Sequence, residues 1–169
     1  MTFPSVPLAH QWTDLEALNA VKLNARIDDN LNLLAAAIGG FQTYAPTLTA
    51  TTSPTGYTAS GRYRKVGTQV FADVLITFGA GMTAGSGGYL ISLPTPAVNA
   101  LASVPIGHGF VKSAGVWTQV IAGCNTATTA VLNYTSVQVG GSLVTVGAAA
   151  PGVFVNGDII RASFSYESA

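Results

Sequence analysis

The stretch Gln69-Val-Phe-Ala-Asp-Val-Leu-Ile-Thr-Phe78 alternates with a period of two. Val70, Ala72, Val74, Ile76 and Phe78 fall on one side; Gln69, Phe71, Asp73, Leu75 and Thr77 fall on the other. Successive side chains of a pleated strand point to opposite faces, so the first set reads as a core face and the second as a mixed face. The C-terminal stretch repeats the pattern, with Ile160, Ala162, Phe164 and Tyr166 inward and Arg161, Ser163, Ser165 and Glu167 outward. Further strands are predicted at 44–50, 59–66, 89–93, 106–113, 116–125, 130–139 and 143–146. Turn signals separate them at Ser53-Pro-Thr-Gly56, Gly79-Ala-Gly81, Gly85-Ser-Gly-Gly88, Gly140-Gly141 and Asn156-Gly-Asp158. Short strands, Gly-rich turns and no second helical pattern predict a mainly β fold, a single antiparallel, jelly-roll-like β-sandwich over 41–169.

Upstream of residue 40 the period changes. Six of the fourteen charged residues lie between Asp14 and Asp29. Thr13 followed by Glu16 reads as a capping box, in which each side chain satisfies an orphan amide of the first turn. Gly39-Gly40 supplies the stop, since Gly takes the left-handed conformation without steric cost. A helix from Asp14 to Ile38 would be roughly 37 Å long. Ala20, Asn24, Ile27, Leu31, Leu34 and Ile38 are spaced 4, 3, 4, 3 and 4 apart, which is a heptad seam. Asn24 is the polar seam residue that would set register and oligomer number. Two packings fit this stripe: self-association, or an amphipathic helix lying on its own domain. Leu15, Leu18, Leu23 and Leu33 fall outside the strict seam and widen the packing face. Residues 1–40 thus form an anchoring arm and oligomerisation helix, with Phe3 and Trp12 as docking side chains of the arm.

Composition narrows the function. The 169 residues are 49% hydrophobic and only 8% charged, with seven basic and seven acidic side chains. Nucleic-acid binding draws on surplus Lys and Arg to displace counterions, and a balanced chain lacks it. Disorder is disfavoured by the mean hydropathy of +0.43. One cysteine cannot form an internal disulfide framework. The opening residues show no signal-peptide pattern, and the longest aliphatic run, Leu33-Leu-Ala-Ala-Ala-Ile38, is too short to span a bilayer. A cytoplasmic site of synthesis and no membrane insertion are expected. The outward strand positions are mostly Thr, Ser, Ala, Gly and Gln, whereas a solitary β-domain usually blunts its edges with charge. An obligate oligomer is the expected remedy.

Catalytic and cofactor chemistry starts from a poor inventory. Beyond the helix the carboxylates are Asp73, Asp158 and Glu167, and Asp73 with Asp158 is the one pair a glycosidase could use. Asp158 after Asn156-Gly157 reads as turn chemistry. His10 and His108 lack the companion ligands that a zinc site requires. His108 between Gly107 and Gly109 marks a bulge or strand start, and Cys124 reads as a small core hydrophobe. No catalytic residue, metal or cofactor is expected. Trp117, Tyr57 and Tyr63 are candidate glycan-stacking residues, against the alternative that strand aromatics fill a core or interface. Arg62-Tyr-Arg-Lys65 is the basic cluster. Alternation places Arg62 and Arg64 on one face, to be solvated or to meet an acidic neighbour or an anionic surface glycan.

Gln11-Trp-Thr-Asp-Leu-Glu-Ala-Leu-Asn-Ala-Val-Lys-Leu-Asn24 resembles the N-terminal segment of bacteriophage minor tail and tail-fibre proteins, of the kind found in actinobacterial phages. Tyr44-Ala-Pro-Thr-Leu-Thr-Ala50 with Gly61-Arg-Tyr-Arg-Lys-Val-Gly-Thr-Gln-Val-Phe71 is similar to the opening of their β-domain. Gly157-Asp-Ile-Ile-Arg-Ala-Ser-Phe-Ser-Tyr-Glu167 is similar to its closing strand. The resemblance implies a homotrimer within a virion, assembled in the host bacterial cytoplasm and docked on other tail or capsid proteins. It implies attachment to the host surface, with a cell-surface glycan as one ligand. The chain is short for a long fibre, so a capsid decoration or head-spike protein is the alternative within the same class. A carbohydrate-binding module is the alternative outside it.

Overall fold

The computed structural model describes residues 20–98, 104–136 and 141–169. Helix α1 spans Ala20–Ile38. Gly39 follows at φ +58°, the left-handed stop expected of it. The helix start with Thr13 and Glu16, the anchoring residues Phe3 and Trp12, and His10 lie outside the described residues.

Ile38–Ala169 form a second unit. Its strands are β1 (Gln42–Tyr44), β2 (Leu48–Thr49), β3 (Thr55–Val66), β4 (Gln69–Thr83), β5 (Leu90–Ser92), β6 (Pro105–Ser113), β7 (Val116–Thr126), β8 (Thr129–Ser136), β9 (Ser142–Thr145) and β10 (Ile159–Glu167). All pair antiparallel in one sheet of order β1-β3-β4-β10-β6-β7-β8-β5-β2, with β9 added to β8. The sheet curls into a half-barrel. Tyr57, near one end on β3, donates its hydroxyl to the carbonyl of Leu48 on β2 at the other end. The same hydroxyl accepts the Leu48 amide at 3.1 Å. A single phenol thus satisfies both backbone groups of a terminal strand that would otherwise be left unpaired.

The last strand in sequence is central in space. β10 pairs along its whole length with β4, and from Ile159 to Phe164 with β6. Alternation decides what each side does. Val70, Val74, Ile76, Phe78, Ile160, Ala162 and Phe164 are buried inside the curl. Phe78, Tyr89 and Phe154 stack there with ring centroids 4.7–6.3 Å apart, each ring adding area burial and a favourable tilted contact. Cys124 is fully buried, and burial pushes its thiol up from the ordinary range, so it packs as a small apolar side chain.

Two expectations change. The predicted strand 44–50 is two strands, β1 and β2, which pair at opposite ends of the sheet. Pro46 lies between them and supplies no amide to a ladder. Gly79-Ala-Gly81 does not end its strand. β4 continues to Thr83, and the register slips between the Tyr57–Phe78 and Thr55–Thr83 pairs. The glycines form a bulge, with Gly81 at φ +75°, that bends the strand.

The hairpin between β6 and β7 turns on Ala114 and Gly115, both at positive φ (47° and 82°). Hairpin twist favours this conformation, but Ala adopts it at a cost of about 1–2 kcal/mol. Asp158 holds the turn. Its carboxylate is buried and accepts the amides of Ala114 (2.9 Å) and Val155 (2.8 Å). Asp158→Ala would strand both donors, so a loss of about 2–5 kcal/mol is expected in urea unfolding. Ala114→Gly should stabilise by about 1 kcal/mol in the same assay. An unchanged midpoint for Asp158→Ala contradicts this account of the turn.

Candidate functional site

The outward positions of β3, β4, β10 and β6 bring basic, acidic, hydroxyl, imidazole and aromatic side chains onto one surface of the β unit. Their registers line residues up in rows across the strands. One row runs Arg62, Asp73, Ser163, His108. The next runs Ser60, Leu75, Arg161, Phe110. With neighbouring strands about 4.8 Å apart, each row spans about 14 Å.

Asp73 organises the first row. Arg62 Nε donates to its Oδ2 at 2.9 Å, and Ser163 Oγ donates to its Oδ1 at 2.8 Å. Partial burial raises the carboxyl's affinity for a proton. The bonds from Ser163 and Arg62 and the positive charges of Arg62 and Arg161 outweigh it, so the pKa falls below the ordinary 3.8. Among the described residues, Arg62–Asp73 is the ion pair. Arg161, Arg64 and Lys112 share the outward face and form no ion pair among the described residues. The Arg64 guanidinium lies 5.3 Å from the Phe41 and Phe71 ring centroids, and its buried Nε has no acceptor among the described residues.

Two grooves cross this face. One, of about 480 Å³, is lined by Ser60, Gly61, Arg62, Asp73, Val74, Leu75 and Arg161. Beside it, a groove of about 300 Å³ is bordered by Phe41, Arg64, Phe71, His108, Ser163 and Ser165, with Asp73 common to both. His108 owes its place to its neighbours. A Cβ on Gly107 would collide with the Ser163 carbonyl oxygen, and one on Gly109 with that of Arg161. The Gly-His-Gly sequence therefore lets β6 lie close against β10 while presenting an exposed imidazole.

The candidate glycan residues are not brought together. Trp117 is 58% exposed at the β6–β7 hairpin, on the outward face next to Lys112. Tyr57 and Tyr63 point inward. Tyr57 packs on Phe78 and holds Leu48. Tyr63 meets the edge of Tyr44 and donates to Gln42 Oε1 at 2.8 Å. Asp73 and Asp158 are also apart: Asp73 stands opposite Ser163, five residues or about 17 Å along β10 from the inward-buried Asp158. Within α1 the seam residue Asn24 is exposed, and Ile27, Leu31 and Leu34 are 48%, 57% and 56% exposed. The side chains of Ala20 and Ile38 lie outside the described residues.

Arg161 in the larger groove, Ser163 in the smaller one and Phe110 opposite Arg161 on β6 were not singled out as site residues from sequence. Their outward alternation was readable; their nearness to Arg62 and Asp73 arises only from the β3–β4–β10–β6 order. In comparison with known proteins, no family model, curated protein or solved structure matches the chain. Among the described residues no three His, Cys, Asp or Glu side chains gather, and no helix is long and apolar enough to cross a membrane.

A depressed Asp73 pKa has a defined consequence. The carboxylate contributes stability above the ordinary 3.8, and that contribution disappears as pH falls through the lower folded value. Because the pair is exposed, Asp73→Asn should cost about 1 kcal/mol or less at pH 7. The difference should vanish in strong acid, as read by thermal unfolding from pH 7 to pH 2. A constant gap over that range would rule out the ionised carboxylate as its source.

Proposed function

We propose that this chain is a virion structural protein: a trimeric minor tail or tail-fibre-like module of a bacteriophage. Residues 1–40 anchor and trimerise it, and the β unit is displayed for attachment to the host surface. The two flanks of the curled sheet serve as the layers of a jelly-roll-like β-sandwich. The observation that carries this reading is the row of Ile27, Leu31 and Leu34, at heptad spacing and about half exposed in the single chain. The sequence likeness to tail-fibre segments supplies the biological setting. Placement on the head as a decoration protein uses the same trimer at a different docking point.

Magnitudes show what the trimer requires. Taking a half-exposed Leu or Ile out of water is worth about 1 kcal/mol, half the full-burial value. Three such residues give about 3 kcal/mol per copy, or about 9 kcal/mol for three copies. Bringing three chains together takes two associations, each costing about 4–15 kcal/mol. The stripe alone is therefore marginal, and the β units contribute contacts as well. Val116, Trp117, Val153 and Val155 supply exposed apolar area around the hairpin that Asp158 ties down. In the trimer Asn24 meets its counterparts in the seam and sets their register.

Light scattering on the full chain at micromolar concentration should give three times the 17.2 kDa chain mass. Leu31→Asp would put an unpaired charge into a dry seam and should reduce that mass to a single chain. A wild-type protein that runs as a monomer defeats the proposal.

A further inference from the structure

We infer that the outer groove of β3, β4 and β10, together with the adjoining outward face of β6, binds an anionic saccharide chain, with Arg161 in the groove as the principal charge contact and Phe110, beside the groove and opposite Arg161 on β6, as the stacking surface. This deepens the attachment role proposed above and rests on that reading for its setting; the groove itself stands on separate observations. The first is charge. The outward positions of β3, β4, β10 and β6 carry Arg62, Arg64, Arg161 and Lys112 against Asp73 and Glu167, a surplus of two positive charges on one face. The whole chain is neutral, so this face is a local concentration rather than a general basicity.

The second observation is which cations are free. Asp73 already accepts from Arg62 and Ser163. It fixes Arg62 at the groove wall and leaves the Arg161 fork without a carboxylate among the described residues. A planar fork suits a carboxylate or phosphate oxygen pair. The third is the apolar component. Phe110 stands directly opposite Arg161 and is 48% exposed, and Leu75, on the other side of Arg161, is 40% exposed. An exposed aromatic residue opposite an arginine in the strand register, with Ser60, Ser163 and the Asp73 carboxylate within the same two rows, offers stacking, anion capture and hydroxyl hydrogen bonds together. A free inorganic anion would have no use for the first and last of these. A saccharide carrying a carboxylate or phosphodiester uses all three, and the groove of about 480 Å³ is open at the surface, as a chain passing across it requires.

The test is titration calorimetry of the full chain with oligogalacturonate, which carries carboxylates, with poly(glycerol phosphate), which carries phosphodiesters, and with neutral dextran. Binding of one or both anionic polymers and none of dextran is expected, and the polymer that binds identifies the source of the charge. Arg161→Gln and Phe110→Ala should each weaken binding about tenfold or more. Lys65→Ala, on the opposite strand face, should leave it within about twofold. Binding of neither anionic polymer, equal binding of dextran, or equal loss in Lys65→Ala and Arg161→Gln would overturn the inference. Scattering mass measured on the same samples separates failure of the groove from failure of the trimer: a trimer that ignores both polymers refutes only the groove, and a monomer that binds them refutes only the assembly.

Discussion

The pairing of β10 between β4 and β6 governs the β unit. A strand bonded on both sides cannot slip by one residue without turning every side chain to the opposite face. Ile160, Ala162 and Phe164 would then leave the core, and Arg161 and Ser163 would enter it. The same register that seals the interior places Ser163 beside Asp73 and Arg161 beside Phe110. Core and outer groove are therefore two consequences of one alignment. The glycines at 107 and 109 are part of it, since any side chain there would collide with β10 carbonyls.

Scarcity of charge gives the remaining charges their meaning. The β unit holds five basic and three acidic side chains, and Asp158 is consumed in holding the β6–β7 turn. Asp73 is committed to Arg62 and Ser163. Arg161 and Arg64 are then left facing outward beside aromatic rings. The same sparseness leaves apolar side chains at the hairpin tip and along α1 in water. A chain with so little charge to keep it soluble gains from meeting copies of itself, which is the physical ground of the assembly proposed above.

Much of the fold was legible because alternation is a local property. The inward sets of 69–78 and 160–166 lie inside the curl as read, and the stop at Gly39 is where the sequence places it. The split of 44–50 was not legible, because the partners of Tyr44 and Leu48 lie at opposite ends of the sheet. Gly79 to Gly81 announced backbone freedom without saying whether the ladder resumes beyond them. Tyr57 and Tyr63 read equally as surface or core until β1 and β2 were placed against them. For the groove, alternation put Arg62 and Arg64 on one face, but Arg161 and Ser163, which β10 brings beside the Arg62–Asp73 pair, come from about one hundred positions later. That adjacency is a property of topology, and no local pattern encodes it.

In the proposed assembly several copies meet through the α1 stripe, with their helices side by side in one direction. A nitroxide label at Asn32→Cys probes it directly, because Asn32 is exposed beside the seam and the native Cys124 is fully buried from the reagent. Helices packed about 10 Å apart should give inter-spin distances of roughly 20 Å in pulsed dipolar spectra of the full chain. An absence of dipolar coupling between chains would contradict the account.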